Sequence, residues 1–505
     1  MTRPLDLLLI NPGSRMQVYQ SLGKELAAIE PPVWAGMMAT FVRGRGYSVA
    51  IIDAEAEQLT PAEVAERVRD LRPRLTAVVV YGHQPSASTQ NMPAAGATVR
   101  AVKALLPQMP VILLGGHVAS LPERTLAEES ADYVATGEGL HTLVALIDAL
   151  ESAAPRLDRV PGLGYRDETA TIRFTPPAPL LAQLDTEMPG LAWDLLPMDR
   201  YRAHNWHCFG VATRQPYAAI YTSLGCPYHC SFCCIQAPFR TDDADKAVNR
   251  YRMWSAGTVL AQIDLLVSRY GVKNLKIADE MFVLNPRHVD TICDGLIQRG
   301  YDLNIWAYAR VDTVRNGMAE KLRAAGFRWL AFGIEAADEG VRDAVDKGFG
   351  QNDIFETLAR VRDAGIYVIA NYIFGLPEDT RESMEATLQL SLELNAEFAN
   401  FYATMAYPGS PLYATAVERH WPLPRHWSGY SQHAVDTSPL PTRYVTAADV
   451  LRFRDAAFDR YFSDPAYRSH LERVFGLATV DHVRSMASHR LQRTFTPEAE
   501  TLLLT

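Results

Sequence analysis

The sequence predicts two α/β units in series: a doubly wound, Rossmann-like sheet, then a partial (β/α)6 barrel, followed by a mainly helical C-terminal region. Three observations carry that expectation. Apolar runs of strand length alternate with helix-period segments in two separate blocks, 5–150 and 217–406. Between the blocks the alternation stops and prolines gather (Pro155, Pro161, Pro176, Pro177, Pro179, Pro189, Pro197), which marks an ordered linker with a short hairpin near 161–175. At 505 residues the chain is also too long for one core, and about three domains are expected. The boundaries fall at 1–150, 151–215 for the linker, 216–414 and 415–505.

In the first block the strand-like runs are Leu7–Ile10, Ser48–Asp53, Thr76–Tyr81, Val111–Leu114 and Tyr133–Ala135. Helical periodicity fills 33–44, 61–71, 92–106 and 140–151. Right-handed crossovers turn such an alternation into a parallel sheet covered on both faces, with ligands held beyond the strands' carboxyl ends. In the second block strands are expected at Ala218–Ser223, Leu275–Ala278, Ile305–Ala309, Trp329–Phe332, Tyr367–Phe374 and Phe398–Met405. Helices near 257–269, 286–298, 317–325, 352–364 and 380–394 separate them. Six units are too few to close an eight-stranded barrel, so an open one results, with its site at the C-terminal mouth. Beyond 415, helices near 447–461 and 480–490 are expected to cap the barrel mouth or its side.

Composition narrows the function classes. Hydrophobic residues make up 48% and charged ones 21%, and the net charge of −9 is spread along the chain. No basic stripe points to nucleic acid. The apolar run Leu7–Ile10 is too short for a signal peptide, and no window approaches the roughly 18 apolar residues of a membrane helix. The expectation is a cytoplasmic protein without nucleic-acid or membrane partners.

Of six cysteines, four lie between Cys226 and Cys234. A disulfide framework would spread them in pairs, and the cytosol is reducing, so the cluster points to metal. The stretch Ser223-Leu-Gly-Cys226-Pro-Tyr-His-Cys230-Ser-Phe-Cys233-Cys234 follows the first strand of the second block. Structural zinc wants four ligands, usually in two CxxC-like pairs, and no second pair is near. A bacterial ferredoxin would add a proline-flanked fourth cysteine. Three thiolates at CxxxCxxC spacing suit a 4Fe–4S cluster with one iron left open. An open iron binds the amino and carboxylate groups of S-adenosylmethionine (SAM) and delivers the electron that breaks its sulfonium bond, giving a 5′-deoxyadenosyl radical. Cys226, Cys230 and Cys233 are the expected ligands; Cys234 is a packed or accessory thiol.

Over roughly residues 5–415 the sequence resembles the cobalamin-binding radical SAM proteins, including their methyltransferases and the anaerobic Mg-protoporphyrin ester cyclases. Phe232 before the last cysteine matches the signature, and the resemblance implies that it packs by the adenine. Ala278-Asp279-Glu280 stands where the family binds the SAM amino group, here as ADE rather than GGE. Arg310, in Ala309-Arg-Val-Asp, and Glu335, in Phe332-Gly-Ile-Glu-Ala, match strand ends near the SAM carboxylate and ribose. Asn371-Tyr-Ile-Phe374-Gly-Leu-Pro-Glu matches the fifth strand and adenine-side loop, and Tyr407-Pro-Gly-Ser-Pro-Leu-Tyr the sixth.

The first block is similar to cobalamin-binding domains. The implied contacts are Asn11; Tyr81, His83, Ser86 and Ser88, in the place of an SxL segment; Gly115, Gly116 and His117, in the place of GG; and Gly137 with Glu138. Glycine walls would leave room for the nucleotide tail. The first loop, Asn11-Pro-Gly-Ser-Arg, lacks DxHxxG, so no histidine on cobalt is expected. His83 and His117 read as loop histidines bonded to backbone.

The resemblance implies a cobalamin-dependent radical SAM methyltransferase that moves a methyl group from methylcobalamin to an unactivated carbon or phosphorus centre of a small molecule. Its cofactors would be the 4Fe–4S cluster, SAM and cobalamin, with flavodoxin or ferredoxin as electron donor. A cyclase or rearrangement enzyme with the same cofactors is the alternative. A cobalamin-binding sensor is the reading from another class. No catalytic residue is singled out, and 415–505 should line the substrate pocket.

Overall fold

The computed structural model describes residues 5–211, 213–239 and 251–504. Two sheets, one mixed and one all-parallel, form its frame. The first contains β1 (Leu7–Asn11), β2 (Val49–Asp53), β3 (Leu75–Val79), β4 (Val111–Leu114), β5 (Tyr133–Ala135), β6 (Leu163–Arg166) and β7 (Ile172–Phe174), in the order β2-β1-β3-β4-β5-β6-β7. β1 to β5 are parallel, and their 2-1-3-4-5 order is the flavodoxin-like form of the doubly wound fold. All five residues of β3 are buried, as expected of a strand covered on both faces.

The segment expected as linker does more than connect. Its hairpin, β6 and β7, pairs antiparallel with β5 and extends the first sheet. The chain after it wraps back onto that sheet, where the Tyr201 hydroxyl donates to Asp53 at 2.8 Å.

The second sheet contains β8 (Tyr217–Ile220), β11 (Asn274–Ile277), β12 (Asn304–Ala309), β13 (Phe327–Glu335), β14 (Tyr367–Phe374) and β15 (Phe398–Ala403), all parallel, in the order β15-β14-β13-β12-β11-β8. A two-residue antiparallel pair, β9 (Ser223–Leu224) with β10 (Arg252–Met253), flanks the cysteine loop. Local signals set the helix ends. Asn285 caps Pro286–Arg299, proline opens it, and left-handed Gly300 closes it.

Strand alternation decides what the barrel encloses. Register places Tyr217, Lys276, Trp306, Trp329, Tyr367 and Phe398 on one face. At the N-terminal end of the strands, Trp206 from the linker packs edge-on against Trp306 and Trp329, 5.1 and 5.7 Å away, and lies 5.9 Å from Phe398. Phe475 stacks on Trp329 from the helix Pro465–Phe475. Such aromatic pairs each add about 0.5–1.5 kcal/mol beyond their buried area. The C-terminal helices therefore close the barrel's side and floor rather than its mouth. Ala447–Ser463 lies along β15 and β14, with the Tyr461 hydroxyl donating to the Ala396 carbonyl. The segment before it crosses to the first unit instead, where the Ser431 hydroxyl donates to the Val18 carbonyl at 2.9 Å. No helix among the described residues is long and apolar enough to cross a membrane.

Candidate functional site

The C-terminal edges of the two sheets face each other. The short helix Gly116–Ser120, which follows β4, packs on residues 237–239 beyond the cysteine loop. A Cβ at Gly409 would lie 2.4 Å from the Ser120 hydroxyl and 2.7 Å from Ala237. Gly409 also holds a left-handed φ of 92°, so glycine is required there twice over. Trp34 stacks on Tyr81 at 4.2 Å and meets Tyr221 edge-on at 6.4 Å, joining both candidate loops.

The cysteine loop starts where β8 ends. Asp279 anchors its root, accepting from the Thr222 amide and from the Thr222 and Ser223 hydroxyls, each at 2.6 Å. The loop is then pinned on two sides: the Ser231 amide donates to Val345, and its carbonyl accepts from the Leu412 amide. Cys226, Cys230 and Cys233 are half-buried, whereas Cys234 is buried. A cavity of about 310 Å³ opens against Cys230 and Cys233, bounded also by Tyr228, Gln236, Gly409 and Ser410. Burial pushes the Cys226 thiol up to about 11 and Cys233 well above its usual range. Bound iron would reverse that, because a coordinating thiol is deprotonated outright. Among the described residues no three His, Cys, Asp or Glu side chains converge on one ion position.

At the neighbouring strand ends two charged groups are left over. Among the described residues Glu280 has no hydrogen bond or ion pair, and burial pushes its carboxyl up to about 8. Arg310 pairs with Asp312 through Nε and Nη2, but its buried Nη1 has no partner among the described residues. Its guanidinium lies 4.1 Å over the Tyr228 ring. A carboxyl and a guanidinium at neighbouring strand ends suit the amino and carboxylate groups of an amino acid.

Glu335 ends β13 with a left-handed φ of 63° and is ion-paired with Lys347. Lys347 in turn lies 5.9 Å over the Phe232 ring, which brings Phe232 and Glu335 to one wall. Two expected SAM residues are placed elsewhere. Asp279 spends both oxygens on the loop root. Phe374 has no exposed surface: it is stacked on Phe401 and packed by Phe453 under the C-terminal helix. The pleat explains this, because Asn371 and Ile373 point inward and Phe374, one residue on, points out.

In the first unit most candidate side chains serve the protein. Asn11 donates to Asp53 at 2.8 Å. The Ser88 hydroxyl bonds the Val80 carbonyl and accepts from the His117 amide. Glu138 is ion-paired with Arg252 across the two units and also takes the Leu181 amide. His83 sets Nε2 2.7 Å from the Pro31 carbonyl and Nδ1 2.9 Å from Glu30. Both ring nitrogens thus face protein oxygens rather than the cleft. His117 is buried against Trp427, 4.4 Å away, and its Nδ1 lies 3.1 Å from the Thr89 hydroxyl, so it bonds a side chain rather than the expected backbone.

The glycines divide. A Cβ on Gly115 would lie 2.1 Å from the Val80 carbonyl oxygen, so the protein itself demands that glycine. Gly116 and Gly137 have ordinary room, with nearest atoms at 3.7 and 3.6 Å, and present bare backbone at the facing edge. Among the described residues the buried Tyr81 hydroxyl has no partner, and Ser86 starts the helix Ala87–Leu105 without capping it. Sequence reasoning missed Lys347, Tyr228 and Glu30; no motif marks the first and last, while Tyr228 lies inside the cysteine stretch itself.

Comparison with known proteins gives the two units their descriptions. The B12 binding domain model matches residues 19–147, and the radical SAM superfamily model matches 220–391. An uncharacterized methyltransferase of Pyrococcus horikoshii is 29% identical over 91% of this chain and 93% of its own. The anaerobic magnesium-protoporphyrin IX monomethyl ester cyclase of Cereibacter sphaeroides is 28% identical over 78% of this chain and 62% of its own. In fold, the chain resembles the radical SAM methyltransferase TsrM of Kitasatospora setae, solved with cobalamin and a 4Fe–4S cluster bound. That match has a TM-score of 0.63 at 18% identity and covers 82% of this chain and 78% of that one. The chain thus carries a B12-binding unit followed by a radical SAM unit, the pairing found in cobalamin-binding radical SAM proteins.

Proposed function

We propose that the protein is a cobalamin-dependent radical SAM methyltransferase acting on a small molecule. The observation that carries the reading is the confrontation of the two C-terminal edges, with Gly409 wedged against Ser120 and Ala237. Methyl transfer to a carbon-centred radical needs near-contact between donor and acceptor, and a cleft shared by both units supplies it. When bound, the cofactors supply one-electron cleavage of SAM and a carrier for its methyl group.

The chain's part is to hold and orient. Cys226, Cys230 and Cys233 hold three irons. Glu280 and Arg310 take the ammonium and carboxylate of SAM, Glu335 with Lys347 faces the ribose, and Phe232 packs by the adenine. Tyr81, Ser86, Gly116 and Gly137 line the corrin side. The barrel, 216–414, keeps cluster and SAM; the first unit, with its 163–174 hairpin, keeps cobalamin; and 415–505 walls the substrate pocket. A flavodoxin or ferredoxin supplies electrons, and the cytoplasm is the compartment where such a donor and a reduced cluster coexist.

Similarity to the cyclase supports a second reading, in which the same cofactors drive ring closure or rearrangement. Anaerobic turnover with deuterated-methyl SAM separates the two. The methyltransferase gives one S-adenosylhomocysteine and one 5′-deoxyadenosine per labelled product. Deoxyadenosine with an unlabelled cyclised product, and no S-adenosylhomocysteine, would overturn it in favour of the cyclase.

A further inference from the structure

Glu30 precedes the helix Val33–Arg43 of the first unit, yet its carboxylate sits against the inner face of the barrel. Lys276 of β11 donates to it at 3.1 Å, and the Tyr217 hydroxyl of β8 at 3.0 Å. His83, in the loop after β3, stands 2.9 Å from its other oxygen, and His204 of the linker lies 3.9 Å away. The Lys276 side chain is 4% exposed and that of His83 8%. Lys276 also lies 4.8 Å over the Trp306 ring of the barrel floor.

Each partner leads to a different site. His83 lies within the 81–88 loop, between Tyr81 and Ser86. Lys276 lies on β11, four residues before Glu280 in the turn that follows the strand. A surface ion pair in this place would carry little, but this one is largely desolvated, and losing one member strands the others in the interior. Beside the Trp34 stack and the Glu138–Arg252 pair, one fixed point between the two candidate cofactor loops is thus a carboxylate contributed by the first unit to the lumen of the second.

We propose that Glu30 is a positioning residue that locks the 81–88 loop to β11, and so sets the distance between whatever the two loops bind. It rests on the reading above only for the identity of those ligands.

Hydrogen exchange on the intact protein tests the lock without any turnover. In Glu30→Gln, and independently in Lys276→Met, amides of 81–88 should exchange about tenfold or more faster, while those of β14 and β15 stay unchanged. A second readout is coupling. Both variants should form several-fold more 5′-deoxyadenosine per methylated product, with corrinoid content and SAM affinity kept within about twofold. A role in folding alone would instead raise exchange throughout the chain. Exchange at 81–88 within about twofold of the parent in both variants, or a uniform rise everywhere, would overturn the inference. Absence of corrinoid from the parent protein would overturn the functional reading and leave the exchange test valid.

Discussion

The barrel mouth and the facing edge of the first sheet differ in how they spend their polar side chains. At the mouth, among the described residues, Glu280 has no hydrogen bond or ion pair and Arg310 keeps one bare nitrogen, in a region where most buried polar groups find partners. At the facing edge Asn11, His83, Ser88 and Glu138 are all bonded to protein. The first is built to receive a small charged ligand through side chains. The second offers backbone, aromatic surface and room, which suits a large corrin recognised by shape. Under the proposed function, motif residues serve as ligand contacts at one site and mostly as scaffold at the other.

The largest test of that contrast is at the cysteines. Cys226→Ala, Cys230→Ala and Cys233→Ala should each abolish reductive SAM cleavage, Cys234→Ala should retain it, and reconstituted parent protein should bind about four irons. Iron content and deoxyadenosine formation check this. Next comes Glu280. A buried charge-assisted contact is worth about 1.5–3 kcal/mol, so Glu280→Gln should weaken SAM about tenfold or more. Because its carboxyl is pushed up to about 8, the ligand-free protein holds it protonated below that pH. SAM affinity should accordingly fall about tenfold per pH unit as pH drops below 8, and the glutamine variant should lose that slope. Titrations across pH 6 to 9 read it directly.

At the facing edge Gly116→Leu should exclude cobalamin, while Glu138→Gln should lower thermal stability and leave the corrinoid absorbance of the purified protein intact. The smallest effect belongs to Phe374→Leu. It should cost about 1–2 kcal/mol of stability and leave SAM affinity within about twofold, because the ring lies outside the barrel lumen.

Much of the architecture was legible because parallel strands buried on both faces are continuous apolar runs. Five strands of the first sheet and all six of the barrel were placed within three residues of their ends. The hairpin joining the first sheet was harder, since β7 is short and mostly exposed and only its pairing with β6 reveals where it belongs. The cysteine cluster stands out by its spacing. Asp279 and Phe374 are engaged by the protein itself for different reasons. A strand-end carboxylate looks the same whether it meets a ligand or the loop root, and a one-residue change of pleat reverses a side chain. Gly115 and Gly116 show the same ambiguity: adjacent in sequence, one is demanded by the Val80 carbonyl and the other is not.

The account stands or falls on the two cofactors facing each other across the shared cleft. The direct measurement is the electron paramagnetic resonance spectrum of protein carrying both cob(II)alamin and the reduced cluster, set against spectra of samples carrying each alone. The expected result is a cob(II)alamin signal without imidazole nitrogen splitting, altered by magnetic coupling to the cluster. A spectrum that is the plain sum of the two separate signals, or that shows histidine nitrogen on cobalt, would contradict it.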